Sequence, residues 1–410
     1  MSRETINENN IMKTCFLFLC AVFVILLIVG ALFSPAITTA NRLLHVAHNA
    51  DATEVVRLIL EGADVNAVGR FGETPLLLAA LYNSDSDVIR ILIDNGADVN
   101  VTSRDGWTPL TGAVLRNTNP DVICVLIKNG ADVNVTTGDG WTPLLLAALY
   151  NSNSDVLRIL IDNGADVNVT SRGGWTVLMG AVRNNPNFDI VRLLLEGGAD
   201  INAVSKDGWT PLLVAIWNNN PSPDVIKLLI EKGANVNSAS NEGKTPLMLA
   251  ARSLNHDVIQ LLIEKGAYIN AIDKDGFTPV VIAGFNPNPA VMQTLINTGA
   301  DANAVNKALI IAAGFNSNPD IIRILIENGA DVNVTDDESG GTPLMVAAAM
   351  NSNPEILRVL IKNGANVGAK TTEGKNALDY AINNDALKGT DIYELLRKKI
   401  YFYNTKEDKQ

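Results

Sequence analysis

The stretch Gly96-Ala-Asp-Val-Asn100-Val-Thr-Ser-Arg-Asp-Gly-Trp107-Thr-Pro-Leu110 decides the fold. Its first five residues recur, intact or lightly varied, with the glycine at Gly62, Gly96, Gly130, Gly164, Gly198, Gly233, Gly266, Gly299, Gly329 and Gly364. Four intervals of 34 residues are followed by 35, 33, 33, 30 and 35. Self-similarity at such a period means one supersecondary unit, copied, that buries its apolar face only against its neighbours. The 410 residues therefore form one elongated array rather than two or three globular domains.

Between tags the sequence predicts two short helices. Thr74-Pro75-Leu76 opens the first: threonine caps the end and proline takes the first helical position, where its missing N–H costs nothing. Asn119-Pro120-Asp121, Ser222-Pro223-Asp224, Asn318-Pro319-Asp320 and Asn353-Pro354-Glu355 open the second, each with an acid at the positive end of the helix dipole. The tag glycine then supplies the left-handed residue that stops it. Paired alanines such as Ala79-Ala80 and Ala147-Ala148 let neighbouring helices approach closely.

Gly72-x-Thr-Pro-Leu-x-x-Ala-Ala80 followed by Gly96-Ala-Asp-Val-Asn100 resembles the ankyrin repeat, in its bacterial form, over residues 41 to about 400. The resemblance implies an all-α, L-shaped solenoid of about eleven helix pairs joined by β-hairpin loops. Three departures stand out. The histidine that often follows Thr-Pro-Leu is replaced by Leu77, Thr111, Leu145, Met179, Leu213, Met248, Val281 and Met345, and survives only as His45. The loop between helices is one residue longer than usual and rich in Asn-Ser-Asn. Between Asn303 and Lys307 only three residues separate tag from helix start, so one hairpin tip is missing. Residues 74–107 and 142–175 match at 31 of 34 positions, the mark of a duplicated two-repeat block.

Ahead of the array, Cys15 to Phe33 runs nineteen residues without a charge, long enough to cross a membrane as a helix. This N-terminal hydrophobic helix has two readings: a retained anchor, or a signal segment cleaved after Ala40. The first leaves the array membrane-anchored outside the cytoplasm, the second secreted or periplasmic. The organisation is then a polar tail at 1–11, an anchor or signal core at 12–33, a linker or cleavage region at 34–40, the array at 41–400 and a charged tail at 401–410.

The formal charge of −12 sits on the array and makes nucleic acid a poor partner. Only Cys124 lies in the folded part, within Val-Ile-Cys-Val-Leu-Ile, and reads as a small core hydrophobe. His45, His48 and His256 have no second ligand at metal spacing. Gly243-Lys244-Thr245 imitates the end of a phosphate loop but has Ser238 where the first glycine belongs. Asn100, Asn134, Asn168 and Asn333 each begin an Asn-Val-Thr glycosylation pattern whose recurrence at one repeat phase points first to strand chemistry. No catalytic group, metal, cofactor or small-molecule substrate is expected.

What varies between repeats carries the functional expectation. Directly before the threonine stand Glu73, Trp107, Trp141, Trp175, Trp209, Lys244 and Phe277, and after the alanines Tyr82, Arg116, Tyr150, Trp217, Phe285, Phe315 and Met350. In the resembled family these positions line the concave face that grips partners. Arg104, Arg172 and Lys206 add cations near the rings, and aromatics with arginine are the residue types enriched at interface centres. The partner-binding set is accordingly Trp107, Trp141, Trp175, Trp209, Tyr82, Arg104, Arg116, Tyr150, Arg172, Lys206, Trp217 and Phe277. The expectation is a non-enzymatic protein-binding scaffold, exported or tethered; the alternative is a structural, envelope-associated spacer without a dedicated partner.

Overall fold

The computed structural model describes residues 39–117, 119–171, 173–184, 187–218, 222–252 and 256–407. Among these, helices run in consecutive pairs from Thr39–Val46 with Ala52–Leu60 to Ala377–Ala381 with Asp391–Glu407, eleven pairs in all. Between the two end pairs, the first helix of a pair is largely apolar because it is covered on nearly every side. Pro75–Tyr82, for instance, is buried from Pro75 through Leu81. Its partner Ser86–Asp94 buries only Val88, Ile89 and Leu92, and keeps Arg90 and Asp94 exposed.

The expected caps form. Thr74 Oγ1 accepts from Leu77 N at 3.3 Å, and Asn119 Oδ1 accepts from Asp121 N at 3.0 Å. In the tag, Asp98 accepts from Asn100 N at 2.9 Å, the local turn bonding that keeps an aspartate there.

Two rows of asparagine tie repeat to repeat. In the tag, Asn100 Nδ2 donates to Gly130 O at 2.8 Å while its Oδ1 accepts from Asp132 N at 2.9 Å. Asn66 and Asn134 do the same to the tags that follow them. The second row lies in the loop between helices and is buried. Asn117 donates to Ala80 O at 3.0 Å and Asn83 O at 2.8 Å; Asn351 donates to Ala313 O at 2.8 Å and Asn316 O at 2.9 Å. Helix ends leave carbonyls without intrahelical partners, and these amides satisfy them from the neighbouring repeat.

The chain divides into two compact units, one holding the described residues through Ser171 with Thr176–Ala199, the other Gly173–Trp175 with Asp200 onward. Several sequence readings change. The loops expected as β-hairpins contain no strand among the described residues, only an isolated bridge between Thr170 and Thr176. Most are five-residue turns closed by one backbone bond, such as Ser103 N to Trp107 O at 2.9 Å, too short for a second rung; the turn at Asp336 is one residue longer and closes from Asp336 N to Gly341 O.

At the 30-residue interval the helix starts at Ala302 instead of Lys307 and runs unbroken to Phe315, because the tag's own Asp301 caps it through Asn303 N and Ala304 N. The loop is replaced by helix, and Asn306 accepts from Asp331 N in its stead.

Cys124 is half-buried, not a core residue. It occupies the solvated column of the second helices, where adjacent repeats carry Arg90 and Arg158; its apolar chain neighbours hide that phase. The last helix continues into the expected tail as far as Glu407, since no glycine or proline interrupts it. The anchor or signal segment 12–33 lies outside the described residues. No described helix is long and apolar enough to cross a membrane.

Candidate functional site: the loop row and the inner helix ends

The turns that carry Trp107, Trp141, Trp209 and Phe277 are built around a buried polar residue four positions before the aromatic one. Ser103 Oγ accepts from Trp107 N at 3.1 Å, Thr137 Oγ1 from Trp141 N at 3.1 Å and Ser205 Oγ from Trp209 N at 3.1 Å. For Phe277 the acceptor is Asp273, at 2.8 Å. These closing residues are buried and were not singled out from sequence, although their fixed phase was there to be read.

Successive turns join by one backbone bond, from the second residue of a turn to the third of the turn before, or to the fourth, Ser339, where the earlier turn is the longer one. Arg104 N donates to Phe71 O at 2.9 Å and Asn241 N to Asp207 O at 3.0 Å. Gly208 makes such an approach possible: its φ is +79°, and a Cβ there would lie 2.5 Å from Asn241 N. Side chains other than glycine meet both penalties.

In the first unit Trp107, Trp141, Tyr82 and Tyr150 are half-buried, and Arg104 and Arg116 are exposed. Tyr82 packs on Leu44, Ala67 and Leu78. In the second unit Trp175, Trp209 and Phe277 are half-buried and Lys206 is exposed. Trp217, 37% exposed, packs its ring 5.9 Å from that of Trp209 at a 57° tilt. The four indoles read as one ladder are thus shared, Trp107 and Trp141 in one unit, Trp175 and Trp209 in the other. Arg172 lies outside the described residues.

Further along the second unit, Phe285 and Phe315 pack at 5.5 Å and are 41% and 52% exposed; Met350 in the next pair is 57% exposed. Their positions were visible in the sequence, their exposure was not.

Two residues in the tryptophan phase serve other ends. The Glu73 carboxylate accepts from Phe71 N at 2.7 Å inside its own turn. The Lys244 ammonium bonds the buried Asp273 carboxylate and lies 3.3 Å from Asp275. Burial opposes its charge, but the two carboxylates outweigh that and raise its pKa above the ordinary lysine value. A lysine so engaged is no phosphate ligand. Likewise His256 Nε2 lies 2.8 Å from Thr294 Oγ1, and no metal-binding group of three side chains occurs among the described residues. The glycosylation-pattern asparagines are tag residues: Asn100, Asn134, Asn168 and Asn333 give their amide nitrogens to Gly130, Gly164, Gly198 and Gly364.

A family model for ankyrin repeats in three copies matches in overlapping registers over residues 43–137, 113–205, 144–240, 178–273, 212–306, 266–336 and 309–407. The chain belongs to the ankyrin-repeat family. No curated protein matches it. Ankyrin repeats are interaction modules, generally without catalytic activity, so the chain is a protein-interaction scaffold whose partner is a protein of unknown identity.

Proposed function

We propose that this ankyrin array binds its partner through the turn aromatics and the inner helix ends: Trp107, Trp141, Tyr82, Tyr150, Arg104 and Arg116 in the first unit, and Trp175, Trp209, Trp217, Lys206 and Phe277 in the second, with Arg172 between them in sequence. One observation carries this reading. The turn fixes the tryptophan's backbone through the closing hydroxyl and leaves its ring half-buried, so the point from which each indole projects is set before any partner arrives. Rigid aromatic anchors of this kind lose little conformational entropy on binding.

The uncharged run Cys15–Phe33 supports export or membrane tethering of the scaffold. The mass of the chain recovered from its own cell checks this: a start at Asn41 identifies a cleaved signal, and an intact segment that stays with washed membranes identifies an anchor.

Replacing Trp107, Trp141, Trp175 and Trp209 by alanine tests the binding face. Each true hot spot contributes at least about 2 kcal/mol, so partner capture from the native source is expected to vanish while thermal unfolding stays close to that of the parent. Lost stability with undiminished capture would assign the rings to packing alone.

A further inference from the structure

The first helix pair inverts the charge pattern of the pairs that follow it. Helix Ala52–Leu60 buries Val55 and Leu58 just as Ser86–Asp94 buries Ile89 and Leu92, so the two helices are in register when counted back from their tag glycines. Two residues before that glycine, later repeats carry a charged or polar side chain, such as Asp94, Lys128 and Asp162; six before it, they carry arginine, lysine or glutamine, apart from Cys124. The first repeat has Leu60 and Val56 in these places. One turn apart, the two side chains share a face, and they are 83% and 41% exposed.

The charges of this helix lie elsewhere. Glu54 and Arg57 stand where the next repeat has the apolar Val88 and Ile91. Arg57 pairs with Glu54 at 2.6 Å and with Glu61, which also holds Arg42 at 3.2 Å. A polar outer face is what ends a stack of repeats, so the network is explained as a cap. Val56 and Leu60 are not.

The chain enters beside them. The Arg42–Glu61 pair sets the start of the first helix, Thr39–Val46, against the end of the second, next in sequence to Leu60. Five residues separate the uncharged run Cys15–Phe33 from Thr39, a stretch that reaches at most about 20 Å. With that run in a bilayer, Leu60 stands close to the lipid surface.

We infer that Val56 and Leu60 form a membrane-contact face, and that its occupant is the interfacial zone of the bilayer that holds Cys15–Phe33; this rests on the tethered form of the proposed function. Apolar side chains along one helix face settle about 5–10 Å into the boundary between headgroups and acyl chains. The chemistry of the face fits lipid. It offers two aliphatic side chains and none of the aromatic rings that anchor protein interfaces. Arg42 and Arg57 are already neutralised by Glu54 and Glu61, so zwitterionic lipid suffices. The contact fixes the first pair to the membrane at a second point beyond the anchor itself.

The test uses the full chain in phosphatidylcholine bilayers, with a nitroxide on one cysteine at a time: the native Cys20, Leu60→Cys, Val56→Cys or Asp94→Cys, the remaining native cysteines being replaced by serine. Collisions with oxygen, which concentrates in lipid, are compared with collisions with a water-soluble nickel complex. The oxygen-to-nickel ratio at Leu60→Cys should exceed that at Asp94→Cys by at least about threefold, and Val56→Cys should follow in the same direction, which keeps the test decisive if one label disturbs the pair. Lipid exposure at Cys20 with positions 56 and 60 as water-exposed as position 94 overturns the contact and leaves the anchor standing. Water exposure at Cys20 overturns both. Shielding of positions 56 and 60 from both reagents means that protein covers them, and overturns lipid as the occupant in favour of a partner chain or a second copy.

Discussion

The asparagines and the tryptophans of this chain recur at the same period, yet the protein uses them in opposite ways. Asn117 commits its whole amide: Nδ2 donates to two carbonyls of the preceding repeat and Oδ1 accepts from Asn119 N at 3.0 Å, all in a buried loop. Trp107 is fixed only through its backbone, and its ring stays half-exposed. Where a side chain bonds across the repeat boundary, identity is dictated by geometry and the residue repeats. Where the backbone alone is bonded in every repeat, the side chain is free to differ: Phe277 stands in for tryptophan, and Glu73 and Lys244 put bonds of their own in the same place. Regularity therefore marks what holds the array together, and variation marks what it presents.

The sharpest way to break this contrast is to remove one amide from each asparagine row. Asn117→Ala strands two buried carbonyls and one N–H, and an unsatisfied buried polar group costs about 1–3 kcal/mol, so a loss of about 3 kcal/mol is expected. Asn100→Ala, at an exposed site where water replaces the bonds, should cost only about 1 kcal/mol. Amide hydrogen exchange, read repeat by repeat, suits an array whose stability is a sum of local and neighbour contributions. Equal losses at the two positions would remove burial as the distinction.

Next in size is Gly208→Ala. The left-handed backbone alone penalises alanine by about 1–2 kcal/mol, and the contact with Asn241 N adds to it. Gly276→Ala pays the first penalty without the second, because no turn follows it. Denaturant midpoints of the two variants should differ in that order, and a Gly276→Ala variant as damaged as Gly208→Ala would mean that the close approach of the next turn is not what adds to the cost at Gly208.

Helix pairs, caps and the missing turn were legible in the sequence because each rests on residues a few positions apart. The asparagine rows were not, since an amide and its carbonyl lie 30 or more residues apart and composition alone describes the loop as merely polar. Cys124 was misread for a related reason: its local window is apolar, and only lining it up with Arg90 and Arg158 reveals the solvated column. The start at Ala302 was missed because Asp301 belongs to the tag, where aspartate serves as a turn residue, and nothing local announces its second use as a cap. At the candidate site the positions were legible, but the closing residues Ser103, Thr137 and Ser205 act through a backbone N–H that sequence does not display.

The smallest effect separates the two turns on either side of the missing one. Lys244 holds the Asp273 turn, and its pKa lies above the ordinary 10.5 despite burial, owing to Asp273 and Asp275. A raised folded-state value means that its stabilisation is complete below pH 10.5 and is lost as pH rises through the higher value. Asp336 holds the other turn. The Ser339 hydroxyl, followed by the Glu338 N–H, keeps its carboxyl below the ordinary 3.8, so its contribution is present above pH 3.8 and is lost as pH falls through the lower value. Alkaline solution should therefore loosen residues 273–277 first, and acid residues 336–341, each by less than about 1 kcal/mol because the groups are near the surface. Amide exchange rates corrected for the intrinsic pH dependence would show it. Lys244→Met should remove the alkaline response alone and Asp336→Asn the acid response alone; if either change removes both, the two turns are coupled although no turn lies between them in sequence.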